Sequence, residues 1–428
     1  MKRVILVRHS RTAWNDPDLQ TQRFRGTMDV PLTEQGLAQA RITAQRLAHW
    51  PVTAIYSSPL QRAARMAEIL AQPHHLTPQF VPGLSSMSYG QWAGLTHQEV
   101  ARRWPDLYRR WNEDPFDVPV PDGENLRDLV RRAFAALKEI LDRHADGDSV
   151  VIVSHQVVTR ALICAMASLP TSSWWLFVQD LCNLSCFDYD SASDTFFLER
   201  LNDTCHLSPP PFSPDRLGTR LILVRHGQTA WNASAGEERF RGRTDLPLDA
   251  VGLAQADAVA QKLKDEAIDA IYASPLLRTR QTIAPLAQAR GLAVQSHEGL
   301  LDIDYGAFQG LTHAQAAVEY PDLHRAWRSA PGNVRFPEGE GLADVQRRLL
   351  DLLQELTARH PHQTVVLVGH QIVNKVLACT LLGLDLDRIW HLGQEPAAVN
   401  LFQQRDGEWR TLCLNDTCHL AADGSDIG

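Results

Sequence analysis

Most of this 428-residue sequence is written twice. Val4-Ile-Leu-Val-Arg-His-Ser-Arg-Thr-Ala-Trp-Asn15 returns as Leu221-Ile-Leu-Val-Arg-His-Gly-Gln-Thr-Ala-Trp-Asn232. Phe24-Arg-Gly26 returns as Phe240-Arg-Gly242, and Tyr56-Ser-Ser-Pro-Leu-Gln-Arg62 as Tyr272-Ala-Ser-Pro-Leu-Leu-Arg278. Tyr89-Gly90 returns as Tyr305-Gly306, and Val153-Ser-His155 as Val368-Gly-His370. The stretch Leu201–Leu207 recurs unchanged as Leu414–Leu420. Solenoid repeats have periods of about 20–50 residues, so a repeat this long is a whole domain. The expected organisation is two tandem domains, 1–207 and 220–428. Between them lies a linker, 208–219, that contains Ser208-Pro-Pro-Pro-Phe-Ser-Pro214. Proline locks φ and disfavours the interior of helices and sheets, so the linker is expected to be short and stiff.

Composition excludes several classes. Hydrophobic residues make up 44% and charged residues 21%, which suits a packed core and argues against disorder. Fifty acidic residues outnumber 42 basic ones, a poor balance for general nucleic-acid binding. No apolar run reaches the length of a membrane span, and the start reads as a first strand rather than a signal peptide. The seven cysteines are odd in number and form no C-x-x-C; Cys182 and Cys186 fall in a strand-like stretch. All seven are expected to be reduced thiols in a reducing, cytoplasmic compartment. His74-His75 and His360-Pro-His362 lie in polar connections without ligand partners, and no metal or cofactor is expected.

Within one copy, strands alternate with helices. Val4–Val7, Ala54–Tyr56 and Val150–Val153 read as buried strands. Thr33 can cap a helix over 34–49, a second helix is expected over 58–72, and a third over 126–144. Ser185–Tyr189 and Phe196–Leu201 read as strands joined by a polar turn. The pattern predicts an α/β class: two tandem three-layer α/β/α sandwiches, each with a mainly parallel central sheet. Ligands in such sheets bind at the carboxyl ends of the strands. Arg8-His9, Ser58 to Arg62 and His155 all fall there, so they can converge on one pocket. Two arginines and two histidines suit a phosphoryl group. Guanidinium binds phosphate through paired donors, and a neutral imidazole can attack phosphorus.

These motifs, Arg-His-Gly-x-Thr-x-Trp-Asn, a later Ser-Pro-x-x-Arg and a late Gly-His or Ser-His, resemble the histidine phosphatase (phosphoglycerate mutase-like) superfamily. The resemblance covers nearly the whole chain, twice. It implies a phosphohistidine intermediate, a carboxylic acid that protonates the leaving oxygen, and water activated by the same carboxylate. In the second copy His226 matches the nucleophile, and Arg225, Arg278 and His370 the phosphate pocket, with Asn232 as a further donor. Asp302 takes the position of the family's glutamic acid and is one methylene shorter; Asp304 is the fallback. In the first copy Arg8, His9, Asn15, Arg62 and His155 match, but Ser86 stands where the acid belongs. A serine hydroxyl does not donate its proton at neutral pH, and losing a general acid costs roughly 10²–10⁴ in rate. The first copy is therefore expected to bind phosphate and to turn over slowly or not at all, unless Glu113, Asp114 or Glu124 substitutes.

Smaller departures accompany these. Ser10 replaces the usual glycine after the first histidine, and Gln156 and Gln371 follow the second. Phe24-Arg25 and Phe240-Arg241 are expected either at the substrate mouth or in a packed loop. Trp92, Trp104, Trp111, Phe308, Tyr320 and Trp327 could rim the pocket or fill the core. The expected partner is a small phosphate ester, with neither nucleic acid nor membrane. The leading expectation is a metal-independent phosphomonoesterase. The alternatives are a phosphoglycerate mutase, disfavoured by the short segments Gly94–Pro121 and Gly310–Pro337, and a first domain that only binds a phospholigand or plays a structural part.

Overall fold

The computed structural model describes residues 1–15, 22–207, 218–232 and 238–420. They form two compact units. Most of the proline-rich linker, 208–217, lies outside the described residues.

The first unit runs β1 (Lys2–Arg8), α1 (Glu34–Leu47), β2 (Val52–Ser57), α2 (Gln61–Ala71), β3 (Gln79–Phe80), α3 (His97–Arg103), α4 (Pro105–Glu113), α5 (Leu126–Leu141), β4 (Ser149–Ser154), α6 (Gln156–Met166), β5 (Leu184–Asp190) and β6 (Thr195–Asp203). Its strands lie in the order β3-β2-β4-β1-β5-β6. The first four are parallel, and β5 and β6 close the sheet antiparallel. Strand alternation sends Ile5, Val7, Ile55, Val151 and Val153 to one face, where Ala40, Ala44 and Leu47 of α1 and Ala63, Met66 and Leu70 of α2 cover them. Val4, Leu6, Val150 and Ile152 point the other way and are equally buried, on the side where α6 packs against β1 and α5 against α6. Burying both faces is what a parallel sheet requires.

The second unit repeats this plan as β7 (Arg220–Arg225), α7 (Ala250–Lys262), β8 (Ala270–Ala273), α8 (Leu277–Arg290), β9 (Val294–Ser296), α9 (His313–Glu319), α10 (Pro321–Ser329), α11 (Leu342–Arg359), β10 (Thr364–Gly369), α12 (Gln371–Leu382), β11 (Val399–Arg405) and β12 (Glu408–Asp416). The strands lie in the order β9-β8-β10-β7-β11-β12. Each unit is thus the expected three-layer sandwich with a mainly parallel sheet. Thr33 caps α1 as expected, its side chain accepting from Gly36 N at 3.1 Å.

Three expectations need adjustment. The long helix ends at Leu141, with Arg143 and His144 already in a turn. The helix after β2 starts at Gln61, because Ser57–Leu60 stays extended or turned to deliver Arg62. Cys182 lies before β5 with φ of 60°, not in a strand. All seven cysteines are free thiols. Among the described residues no helix is long and apolar enough to cross a membrane.

Candidate active site

In the second unit β8, β10 and β7 are adjacent and parallel, so their carboxyl ends line up. Arg225 closes β7, and the next amide, His226 N, still bonds to Gly369 O of β10 at 3.1 Å. His370 follows β10 as the residue capping α12, and Arg278 sits in the first turn of α8. Three strand ends thereby bring two histidines and two arginines together.

His226 donates from Nδ1 to Gly227 O at 2.7 Å, which leaves Nε2 as the basic nitrogen. That Nε2 is buried without a hydrogen-bond partner. Burial, and then the charges of Arg278, Arg225 and Arg241, hold the imidazole well below its usual pKa, so it is neutral and nucleophilic. His370 lies 5.3 Å away between ring centroids. Its Nδ1 accepts from Arg278 Nε at 3.2 Å, so Nε2 carries the proton and is a donor without a partner. Arg278 is fully buried and is oriented by Thr244 O and Gly242 O, both at 2.8 Å. Arg225 donates to Gln394 O. Burial lowers its pKa to about 10, which leaves it charged at neutral pH.

The unchanged tail explains how Gln394 is held. Asn415, at the end of β12, accepts from Glu395 N at 2.8 Å. In the first unit Asn202 likewise accepts from Asp180 N at 2.7 Å, beside the Gln179 carbonyl that takes Arg8. The repeated tail is a brace for the loop that orients the arginine.

Asp302 reaches this group. Its Oδ2 is 3.3 Å from Arg278 Nη2 and 3.8 Å from His370 Nδ1, and Oδ1 accepts from Ile303 N at 3.0 Å. It is nearly buried, and desolvation raises its pKa against the pull of Arg278 and Arg241. Asp304 is turned away, paired with Arg243 at 3.3 Å and accepting from Gly306 N. A cavity of about 110 Å³ opens above Asp302, between Arg241, Glu238, Phe240, Trp327 and Trp390. Gln371 also lines it. Asn232 spends its side-chain oxygen on Thr229 N and Oγ1, both at 2.7 Å, leaving its amide group as the donating end.

The first unit builds the same cradle. His9 donates from Nδ1 to Ser10 O at 2.7 Å, and its ring lies 5.4 Å from that of His155. Arg62 is held by Met28 O and Gly26 O at 2.7 and 2.8 Å. Arg8 donates to Gln179 O at 2.5 Å, with its pKa lowered to about 9 by burial. Asn15 turns its oxygen to Thr12 as Asn232 does to Thr229. Buried Ser86 occupies the place of Asp302. The three substitute carboxylates are engaged elsewhere. Glu124 is clamped by Arg132 at 2.6 and 2.8 Å, Glu113 pairs with Arg109 at 2.9 Å on the surface, and Asp114 caps Phe116 N.

Sequence reasoning left Arg241 between mouth and packing; it does both, being 6% exposed and facing the cavity. Glu238 carried no signal, its counterpart in the first copy being Gln22; the signal for Trp390 was its recurrence with Gln394 as Trp175 and Gln179. Of the aromatic residues offered as a rim, Trp92, Trp111 and Phe308 are core, while Trp327 is buried and also lines the cavity.

The model of the histidine phosphatase superfamily (branch 1) matches residues 4–204 and again 221–417. The chain belongs to the histidine phosphatase superfamily. Phosphoserine phosphatase 1 of Hydrogenobacter thermophilus is 37% identical over 201 residues, covering 47% of this chain and 94% of that protein. 2-Carboxy-D-arabinitol-1-phosphatase of Triticum aestivum is 26% identical over 444 residues, covering 98% of this chain and 86% of the wheat protein. A probable phosphoglycerate mutase GpmB of Yersinia pestis is 31% identical over 217 residues, covering 49% of this chain and 97% of its own. The wheat phosphatase therefore matches along the tandem arrangement as a whole, the other two along about one unit's length.

Proposed function

We propose that the chain is a phosphomonoesterase whose working site is in the second of two domains, 220–428, with 1–207 as a histidine-phosphatase-like domain and 208–219 as the linker. The observation that carries this is Asp302, a buried carboxyl with a raised pKa beside Arg278 and His370, opposed in the first unit by Ser86. Arg225, Arg278 and His370 hold the phosphoryl oxygens, with the Asn232 amide as a further donor. The Nε2 lone pair of His226 attacks phosphorus, the P–O ester bond breaks, and protonated Asp302 gives its proton to the leaving oxygen. Ionised Asp302 then takes a proton from water as the water oxygen attacks phosphorus. The P–N bond breaks, phosphate leaves, and both residues return to their starting state. The guanidinium groups supply the charge neutralisation that phosphoryl transfer needs, and His370 Nε2–H a further donor, without calling on a metal.

The small cavity favours small phosphorylated metabolites, and relatives named for phosphoserine and 2-carboxy-D-arabinitol 1-phosphate support that class. Seven free thiols support a cytoplasmic setting. The test is steady-state phosphate release from a panel of monoesters. His226→Ala is expected to abolish it, and His9→Ala to leave it nearly intact. Equal losses from both substitutions would sink the division of labour. Interconversion of phosphoglycerates without net phosphate release would replace hydrolase by mutase.

A further inference from the structure

Three guanidinium groups surround each histidine pair. In the second unit they are Arg225, Arg278 and Arg241; in the first, Arg8, Arg62 and Arg25. Arg25 donates to Thr12 Oγ1 at 3.2 Å. It lies close enough to depress the ionisation of Arg8, His9, Arg62 and His155. The difference is in what faces these cations. In the second unit Asp302 stands 3.3 Å from Arg278, and Glu238 stands 3.6 Å from Arg241. At the corresponding places the first unit has Ser86 and Gln22. Among the described residues, Asp180 with Glu395, Asp29 with Asp245, and Glu124 with Glu340 match in pairs near the two cradles, so they cancel in the comparison. Among the described residues the first cradle is short of two carboxyl groups, and of two negative charges when Asp302 is ionised.

A site that turns over must let phosphate go. Whenever Asp302 is ionised, as it is between proton donation and water activation and in the free site once pH exceeds its pKa, it repels a phosphoryl dianion. The first cradle has no group that can do this. Both cradles hold buried donor atoms without partners, Arg8 Nε and Arg62 Nε in the first and Arg225 Nε, Arg241 Nε and His370 Nε2 in the second, and satisfying buried donors favours a bound acceptor.

We propose that the first unit is a receptor for a phosphoryl dianion, inorganic phosphate or a phosphomonoester, which it holds more tightly than the second unit does and does not hydrolyse. The proposal rests on the division of labour between the two units and adds the sign and size of the affinity difference. One unit charge a few ångströms from the ligand, at an effective dielectric of about 20, changes affinity by about tenfold or more.

The test is calorimetric titration of the full chain with inorganic phosphate at pH 8. The Arg225→Ala/Arg278→Ala chain leaves the first cradle to bind, and the Arg8→Ala/Arg62→Ala chain leaves the second. The former is expected to bind one phosphate at least tenfold more tightly. Placing Ser86→Asp in it is expected to weaken binding about tenfold, and Gln22→Glu several-fold. A first cradle that binds no more tightly than the second overturns the proposal. So does phosphate affinity unchanged by both Ser86→Asp and Gln22→Glu. If circular dichroism shows either paired arginine variant unfolded, the single substitutions are read in the otherwise unaltered chain, on the tighter of its two binding steps. Phenyl phosphate is titrated in parallel. Tighter binding than phosphate identifies an ester as the occupant, looser binding free phosphate, and its hydrolysis by the Arg225→Ala/Arg278→Ala chain overturns the retention claim. The catalytic reading fails on a different measurement, turnover surviving His226→Ala, which does not bear on the affinity of the first cradle.

Discussion

Replacing Asp302 by serine puts into the second unit the residue that the first one carries. The structure indicates that the fold tolerates it. Arg278 loses one contact at 3.3 Å but keeps Gly242 O and Thr244 O at 2.8 Å each, and Ser86 shows that a buried serine fits at this place. The chemical cost falls on proton transfer. Losing a general acid slows the step by roughly 10²–10⁴, equivalent to about 3–5.5 kcal/mol of barrier. The loss depends on the leaving group. An alkoxide leaves only with a proton, so attack on an alkyl phosphate takes the full loss. p-Nitrophenolate leaves as a weak base, so attack on its ester loses much less. Water activation in the second step also needs the carboxylate, so the phosphohistidine accumulates with either substrate. The assay is pre-steady-state kinetics of Asp302→Ser, with substrate in excess, on an alkyl phosphate and on p-nitrophenyl phosphate. The expected result is a burst of one nitrophenolate per chain followed by a slow steady state, and a phosphorylation rate for the alkyl ester down at least a hundredfold. A loss below tenfold with the alkyl ester, or the same loss with both, would refute the role of Asp302 as proton donor.

The buried histidines predict acid sensitivity. His9, His155, His226 and His370 are held well below their usual pKa, chiefly by burial. The folded chain keeps them neutral while the unfolded chain protonates them below about pH 6.5. Their contribution to stability is therefore complete above that pH and is lost as pH falls, by up to about 1.4 kcal/mol per histidine per pH unit; urea unfolding at pH 7.5 and 5.5 reads it, and equal stabilities would count against it. Gly306 has φ of 47°, and a Cβ there would lie 2.0 Å from Pro337 O. Gly306→Ala is expected to cost the left-handed penalty of about 1–2 kcal/mol plus a backbone displacement that moves the Asp302 segment and lowers turnover. Gly291→Ala, with φ of 64° and open space around it, carries the first penalty alone, so equal urea midpoints for the two variants would contradict the reading.

The strand ends were legible because they are local. An apolar run that ends in Arg-His, or in Ser-His and then an amphipathic stretch, specifies a strand and the start of the next element. The cap at Thr33 was legible for the same reason, its bond spanning three residues. The choice between Asp302 and Asp304 was open to pattern and not to local physics. In a regular extended segment residues two apart share a face, but this segment is irregular, and only Arg278 beside one carboxylate and Arg243 beside the other show which meets the cradle. Arg241 is a similar case, since it is buried and shares its cavity wall with Trp327 and Trp390, far along the chain.

The two-fold repeat needs no coordinates, because it is a property of residue order, and with it come the alternating strands and helices and the histidine–arginine sets at the strand ends. Ser86 at the first copy's counterpart of Asp302 is equally a matter of residue order. Burial is not. Which arginines lose their water, which histidine nitrogen is left without a partner, and how many carboxylates oppose each cradle depend on contacts between segments far apart in the chain. Those contacts form only when the sheet brings its strand ends together. They set the ionisation of His226 and Asp302, on which the proposed difference between the two cradles rests.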